Sequence, residues 1–83
     1  MTSPKSELMR DLGAAIRRQR KVLRLTQQQL GELAGCGVAF LYLLETGKPT
    51  VRMDKVLDVL MVLGLQLRLE PGKAGIAIDG ALS

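Results

Sequence analysis

Five cationic side chains fall within eight consecutive residues, Arg17, Arg18, Arg20, Lys21 and Arg24, and two carboxylates, Asp54 and Asp58, stand four apart farther along. These are the groups able to do chemistry. A cationic cluster of this density attracts phosphate or an acidic partner, and it is equally compatible with a solvated helix face that holds one structural ion pair. Carboxylates at i and i+4 share a helix face and can in principle hold a cation or move a proton. Two oxygen donors fall short of the several convergent ligands a metal needs, and Lys55 adjoins Asp54. With no His and a single Cys, the chain cannot build a His/Cys zinc site or an intrachain disulfide. The glycines of "GELAGCG" are not followed by the lysine of a phosphate-binding loop. An enzyme is therefore not expected, and neither is a metal or cofactor; Cys36 reads as a small structural residue in a reducing compartment.

The elements that must carry these groups are bounded by length. A chain of 83 residues forms one domain, and at that size only about 60% of the unfolded surface is buried on folding, which makes oligomerisation a natural source of extra stability. The net charge of +4 is uneven: residues 1–24 hold seven Lys and Arg against Glu7 and Asp11, whereas residues 25–47 hold no base. The start "MTSPKSELMR" is too polar for a signal peptide, and no apolar run approaches the ~18 residues of a membrane span. The expectation is a cytoplasmic protein.

Apolar Leu8, Leu12, Ile16 and Leu23 recur at helical spacing, so "SELMRDLGAAIRRQRKVL" predicts a first helix capped by Ser6, one face apolar and the other basic. Thr26 and Gln29 form a capping-box pattern ahead of Leu30 and Leu33, which predicts a second helix over Gln27 to Ala34. In "GCG", Gly35 can take the positive dihedral that ends this helix, and Gly37 can serve as a weaker cap for a third helix, Val38 to Thr46, stopped by Gly47. After Pro49, Thr50 is the expected cap of a fourth helix, about Val51 to Leu63, whose inward residues are Val56, Leu57, Leu60 and Leu63 and whose end is Gly64. Leu65, Leu67 and Leu69 then alternate with Gln66, Arg68 and Glu70 before Pro71-Gly72, the pattern of a half-buried strand. A lone strand needs a neighbour. Either "GIAID", Gly75 to Asp79, folds back as a hairpin, or a second copy supplies the same strand across a two-fold axis; the second arrangement is the expected one because it also buries more surface.

The run "LGAAIRRQR", "LTQQQLGELAG", "LLETGK" and a helix ending in "LGL" before a strand resembles the phage-repressor type of helix-turn-helix, the XRE/Cro family, over residues 12–69. The half that begins "GKPT" is similar to the HipB-type antitoxins of kinase toxin-antitoxin modules. The resemblance implies a mainly α fold: a phage-repressor-like domain of four to five helices over residues 6–70 with a short C-terminal strand pairing across a homodimer, a flexible arm over residues 1–5 and a tail over residues 71–83. It implies a sequence-specific DNA-binding repressor that autoregulates its operon as the antitoxin of a HipA-like Ser/Thr kinase, with a palindromic double-stranded operator as its ligand and Leu65, Leu67 and Leu69 at the dimer interface. The arm could enter a minor groove or be disordered, and Ile76 and Ile78 of the tail could pair with a partner edge or fray.

By the same resemblance Arg20 pairs with Glu45 as a structural ion pair locking the first helix to the third, and Gln27 approaches a DNA phosphate at the start of the second helix. Gln28 beside it, Gly37, and the outward positions Val38, Ala39, Tyr42 and Leu43 complete the expected DNA surface, with Leu41 and Leu44 facing the core and Phe40 between. Arg17, Arg18 and Lys48 are the further phosphate candidates; Arg52 and Lys55 are weaker ones. Val38, Ala39 and Leu43 cannot hydrogen-bond a base edge, so the usual Arg-to-guanine and Gln-to-adenine readouts are missing. Three explanations stand open. The apolar side chains contact thymine methyls while Tyr42 gives one hydrogen bond and DNA bending adds discrimination; or this face binds protein, making the chain a toxin-binding adaptor with little DNA specificity; or Phe40 and Leu43 pack against the body of the domain.

Overall fold

The computed structural model describes residues 4–71 and 77–80. Four helices, α1 (Pro4–Val22), α2 (Gln27–Ala34), α3 (Val38–Glu45) and α4 (Met53–Leu63), precede two short strands, β1 (Leu65–Arg68) and β2 (Ala77–Gly80). The chain is thus mainly helical, as its periodicity predicts. Among the described residues no helix is long and apolar enough to cross a membrane.

Local chemistry explains most of the helix ends. Thr26 Oγ1 accepts from the Gln29 amide at 3.0 Å while Gln29 Oε1 accepts from the Thr26 amide at 2.9 Å, so two of the donors left over at the start of α2 are satisfied reciprocally. Gly35 closes α2 at φ +71°, and the Cys36 amide reaches back to the Gly31 carbonyl at 2.9 Å. After α3 the Gly47 and Lys48 amides close on the Leu44 and Leu43 carbonyls at 3.1 and 3.0 Å, which turns the chain sharply at the end of that helix.

Three ends differ from the sequence reading. α1 already includes Pro4 and Lys5, so Ser6 lies inside the helix and does not cap it. α1 also stops at Val22, leaving Leu23 largely exposed beside Arg24, which adopts φ +58°. α4 is capped by Arg52 rather than Thr50, because Val51 is drawn in against the core and the helix begins only at Met53.

Leu12, Ile16, Leu30, Leu41, Leu44, Val56, Val59, Leu60 and Leu63 form the core, joined by Ala34. α1 packs on α3 and α4, and α2 lies between α3 and α4. Gly13 makes the α1–α3 contact possible: a Cβ there would overlap the Leu44 carbonyl oxygen and lie 2.8 Å from that of Glu45. One expected core residue is outside. Leu57 is exposed, and Val59 takes the inward place on α4, since with Val56, Leu60 and Leu63 turned inward the helix leaves Leu57 on its outer side.

The strand β1 forms where the alternation predicts it, but its neighbour is the chain's own tail. β1 and β2 pair antiparallel with Leu65 opposite Gly80 and Leu67 opposite Ile78. The hairpin arrangement is therefore the one observed, and the expected mating of β1 with a second copy is replaced on this edge by β2, which also gives the tail region a strand. Leu65 and Leu67 pack against the core of their own chain, while Leu69 lies past the strand and is 93% exposed. The first three residues of the N-terminal arm, and Ile76 of the tail, lie outside the described residues.

Candidate nucleic-acid interface

The third helix is built to be held, not merely packed. Glu45, at its last turn, is buried to 2% of its side-chain surface beneath Arg20 of α1, itself 11% exposed. Arg20 Nε donates to Glu45 Oε2 at 2.7 Å and Nη2 donates to Oε1 at 3.0 Å, the two-pronged geometry in which guanidinium and carboxylate planes match. The third nitrogen, Nη1, donates to the Leu25 carbonyl at 2.8 Å, and Gln27 Nε2 donates to Glu45 Oε1 at 3.2 Å. One carboxylate thus ties the end of α1, the start of α2 and the end of α3 together. The Arg20–Glu45 pair expected from the motif resemblance is present.

Gln27 lines the same cleft as Arg17 and Lys21 and also reaches the clamp. Its side-chain amide is turned toward Glu45, so it belongs to the clamp that sets the α2–α3 geometry as much as to the surface. Gln28, next to it, is exposed.

What the clamp presents is the outer side of α3. Leu41, Leu44 and Glu45 point inward, whereas Val38, Ala39, Tyr42 and Leu43 are exposed, Tyr42 to 58%. Phe40 is half-buried against the core. The apolar character of this helix therefore splits: part of it is packing, and the remainder is an outward strip carrying one phenol. Gly37 caps α3 through an extended backbone and has open space around its Cα.

α1 runs alongside this strip. Arg17 and Lys21, with Gln27, Tyr42 and Thr46, line a cleft of about 520 Å³ whose floor is the Arg20–Glu45 pair, and Arg18 lines an adjoining hollow of about 330 Å³. Among the described residues Arg17, Arg18, Lys21 and Lys48 enter no ion pair. Every pair away from the clamp lies elsewhere: Arg52 with Asp54 at 2.7 Å, Lys55 with Asp58 at 3.8 Å, and Arg68 with Glu70 at 2.9 Å. Arg52 and Lys55 are thereby engaged on α4, the helix that carries Asp54 and Asp58. Hydrogen bonding to Arg52 holds the Asp54 carboxyl below the usual carboxylate range.

Lys21 is the residue that sequence reading left aside. It was one of the five cations clustered over residues 17–24, and only the crossing of α1 over α3 brings it, with Arg17, beside Tyr42. Its position four residues after Arg17 on one helix face was the available signal.

A positively charged ridge beside an outward helix held by a rigid clamp can seat a phosphate backbone and offer α3 to a groove. Residues 11–71 match the helix-turn-helix domain family. An uncharacterized HTH-type transcriptional regulator of Sinorhizobium fredii, y4mF, is 45% identical over 64 residues, which cover 76% of this chain and 84% of that protein.

Proposed function

Because this chain belongs to the helix-turn-helix domain family, we propose that it is a DNA-binding transcriptional regulator that presents α3 to the major groove and grips the backbone with the unpaired cations of α1. The observation that carries this reading is the ridge of Arg17, Arg18 and Lys21 beside Tyr42, the exposed phenol of the outward strip of α3. Lys48, past the end of α3, and Gln28 extend the same surface on the α3 and α2 sides.

Base readout by this strip is restricted to methyl contacts and the phenol of Tyr42, so the preferred half-site is rich in thymine and its deformability supplies the remaining discrimination. Affinity then comes mainly from phosphates. In a mobility-shift series on the protein's own promoter, log K falls linearly with log salt, and each phosphate contact removed by Arg17→Ala or Lys21→Ala flattens the slope by about 0.9. Binding that is absent at low salt, or indifferent to salt, overturns the proposal.

The finer reading is an XRE/Cro-type, HipB-like repressor acting as a homodimer on a palindrome, with half-sites about 34 Å apart, and serving as antitoxin to a HipA-like kinase. Its support is the motif run over residues 12–69. A kinase-like neighbouring reading frame whose product co-purifies with the chain is the expected finding; an unrelated neighbour returns the protein to a general repressor. The exposed Val38, Tyr42 and Leu43 favour one alternative, a protein-binding adaptor. Unchanged DNA affinity in a Tyr42→Ser, Leu43→Ser variant that has lost a co-purifying partner would select it.

A further inference from the structure

On the other side of α2 from α3, α2 and α4 enclose a groove of about 400 Å³. Its walls carry Leu33 of α2 and Met61 of α4, 62% and 77% exposed, with Ala34 and Val62 at its base. Neither Leu33 nor Met61 is needed to fill the core, which is closed beneath them by Leu30, Val59 and Leu63. The rim is acidic. Glu32 stands on the α2 side and Asp58 on the α4 side. Among the described residues Glu32 enters no ion pair, and Asp58 has only Lys55 at 3.8 Å.

Two features favour a negative potential at this groove in a chain whose net charge is +4. Glu32 lies in the C-terminal half of α2, where the helix dipole is already negative and an acid is disfavoured. No basic residue occupies the last turn of α2 or of α4 to offset those ends. Lys55, 3.8 Å from Asp58 and donating to the Gly35 carbonyl at 3.0 Å, offsets one of the two acids and leaves Glu32 uncompensated.

We propose that the α2–α4 groove is a docking site for a cationic amphipathic helix of a protein partner, apolar side chains entering between Leu33 and Met61 while Lys or Arg groups meet Glu32 and Asp58. Helix-in-groove recognition needs an elongated apolar trough with anchors at helical spacing, and an unbranched methionine wall adapts to the anchor it receives. A second copy is the poorer occupant. A two-fold contact through this groove would gather two Glu32 and two Asp58 around one apolar patch with only the two Lys55 to offset them. α4 makes its contacts with α1, α2 and β1, so a partner seated there leaves the outer strip of α3 uncovered. The inference holds whether or not the chain binds DNA.

The test is fluorescence anisotropy with a labelled, amidated Leu/Lys peptide of about four helical turns, alongside a Leu/Glu peptide of the same pattern, combined with amide chemical-shift mapping. The expected result is saturable binding of the Leu/Lys peptide alone, with shifts concentrated at Glu32, Leu33, Met61 and Val62. A Glu32→Lys, Asp58→Lys variant weakens it by about tenfold or more, and Tyr42→Ser leaves it unchanged. Glu32→Lys alone serves if the double variant loses its helical circular dichroism. Equal binding of both peptides, shifts centred on α3, or indifference to charge reversal overturns the proposal. So does sedimentation showing self-association of the chain alone that Met61→Ser abolishes, which would make the occupant a second copy.

Discussion

Replacing Arg20 by Met isolates the energetic role of the clamp. The substitution keeps much of the aliphatic stem and removes both charge-assisted hydrogen bonds to Glu45, at 2.7 and 3.0 Å, together with the bond to the Leu25 carbonyl. Glu45 then keeps only the 3.2 Å contact from Gln27 while 2% of its side chain remains exposed, so solvent cannot compensate. Breaking a buried pair by deleting one partner costs about 3–5 kcal/mol, because a charge is left buried and unpaired. For a domain of this size about 1 kcal/mol corresponds to roughly 4–8 °C, so Tm should fall by at least ~12 °C. Urea denaturation followed by circular dichroism measures the loss directly. The double variant Arg20→Met, Glu45→Met removes the unpaired charge as well and should recover most of it. A loss below ~1 kcal/mol in the single variant, or a double variant no better than the single, would refute the claim that the pair is a buried structural clamp.

Further expectations follow from backbone and thiol environments. Gly13→Ala drives a Cβ into the carbonyls of Leu44 and Glu45, which must shift, and should destabilise by about 1–3 kcal/mol, whereas Gly37→Ser meets open space and adds a capping oxygen worth a few tenths of a kcal/mol; thermal melts of the two should move in opposite directions. Burial pushes the Cys36 thiol up, with Lys55 lowering and Asp58 raising it to lesser extents, so iodoacetamide should alkylate it more slowly near neutral pH than an unhindered cysteine and faster as pH rises. The Asp54 carboxyl is lowered chiefly by its hydrogen bond from Arg52. Any stability it lends is present above the unfolded Asp value, about 3.9, and is lost as pH falls through the lower folded value; carboxyl NMR should show Arg52→Ala returning it to the ordinary range.

Much of the α2–α3 unit is legible in residues 26–47. A reciprocal Thr26–Gln29 cap, Gly35 at a positive dihedral and Gly47 after α3 act across four or five positions, and each end lies at or within a residue of where those residues place it. Leu57 misled because periodicity identifies an apolar set without fixing how far the helix is rotated about its axis. That rotation is set by Leu60, Val56 and Val59 meeting α1 and α2, contacts that no window along α4 contains. Ser6 and Thr50 are acceptable caps by type, yet Pro4 and Lys5 are already helical ahead of Ser6, and Val51 gains more from the core than a helix gains from starting earlier.

Local chemistry written in the sequence therefore determined that there are four helices, where their glycine-bearing turns fall, and that α1 is basic and the outer part of α3 apolar. Only the tertiary structure decided that Lys21 stands with Arg17 beside Tyr42, that Gln27 is turned to Glu45, that β1 finds its neighbour in residues 77–80, and that Leu33 and Met61 face each other across an acidic groove. Capping and dihedral preference act over about one helical turn and can be read in order along the chain. A bond such as that from Gln19 to the Leu63 carbonyl, 44 residues apart, exists only after the apolar faces have chosen their partners, and that choice is a property of all the helices at once.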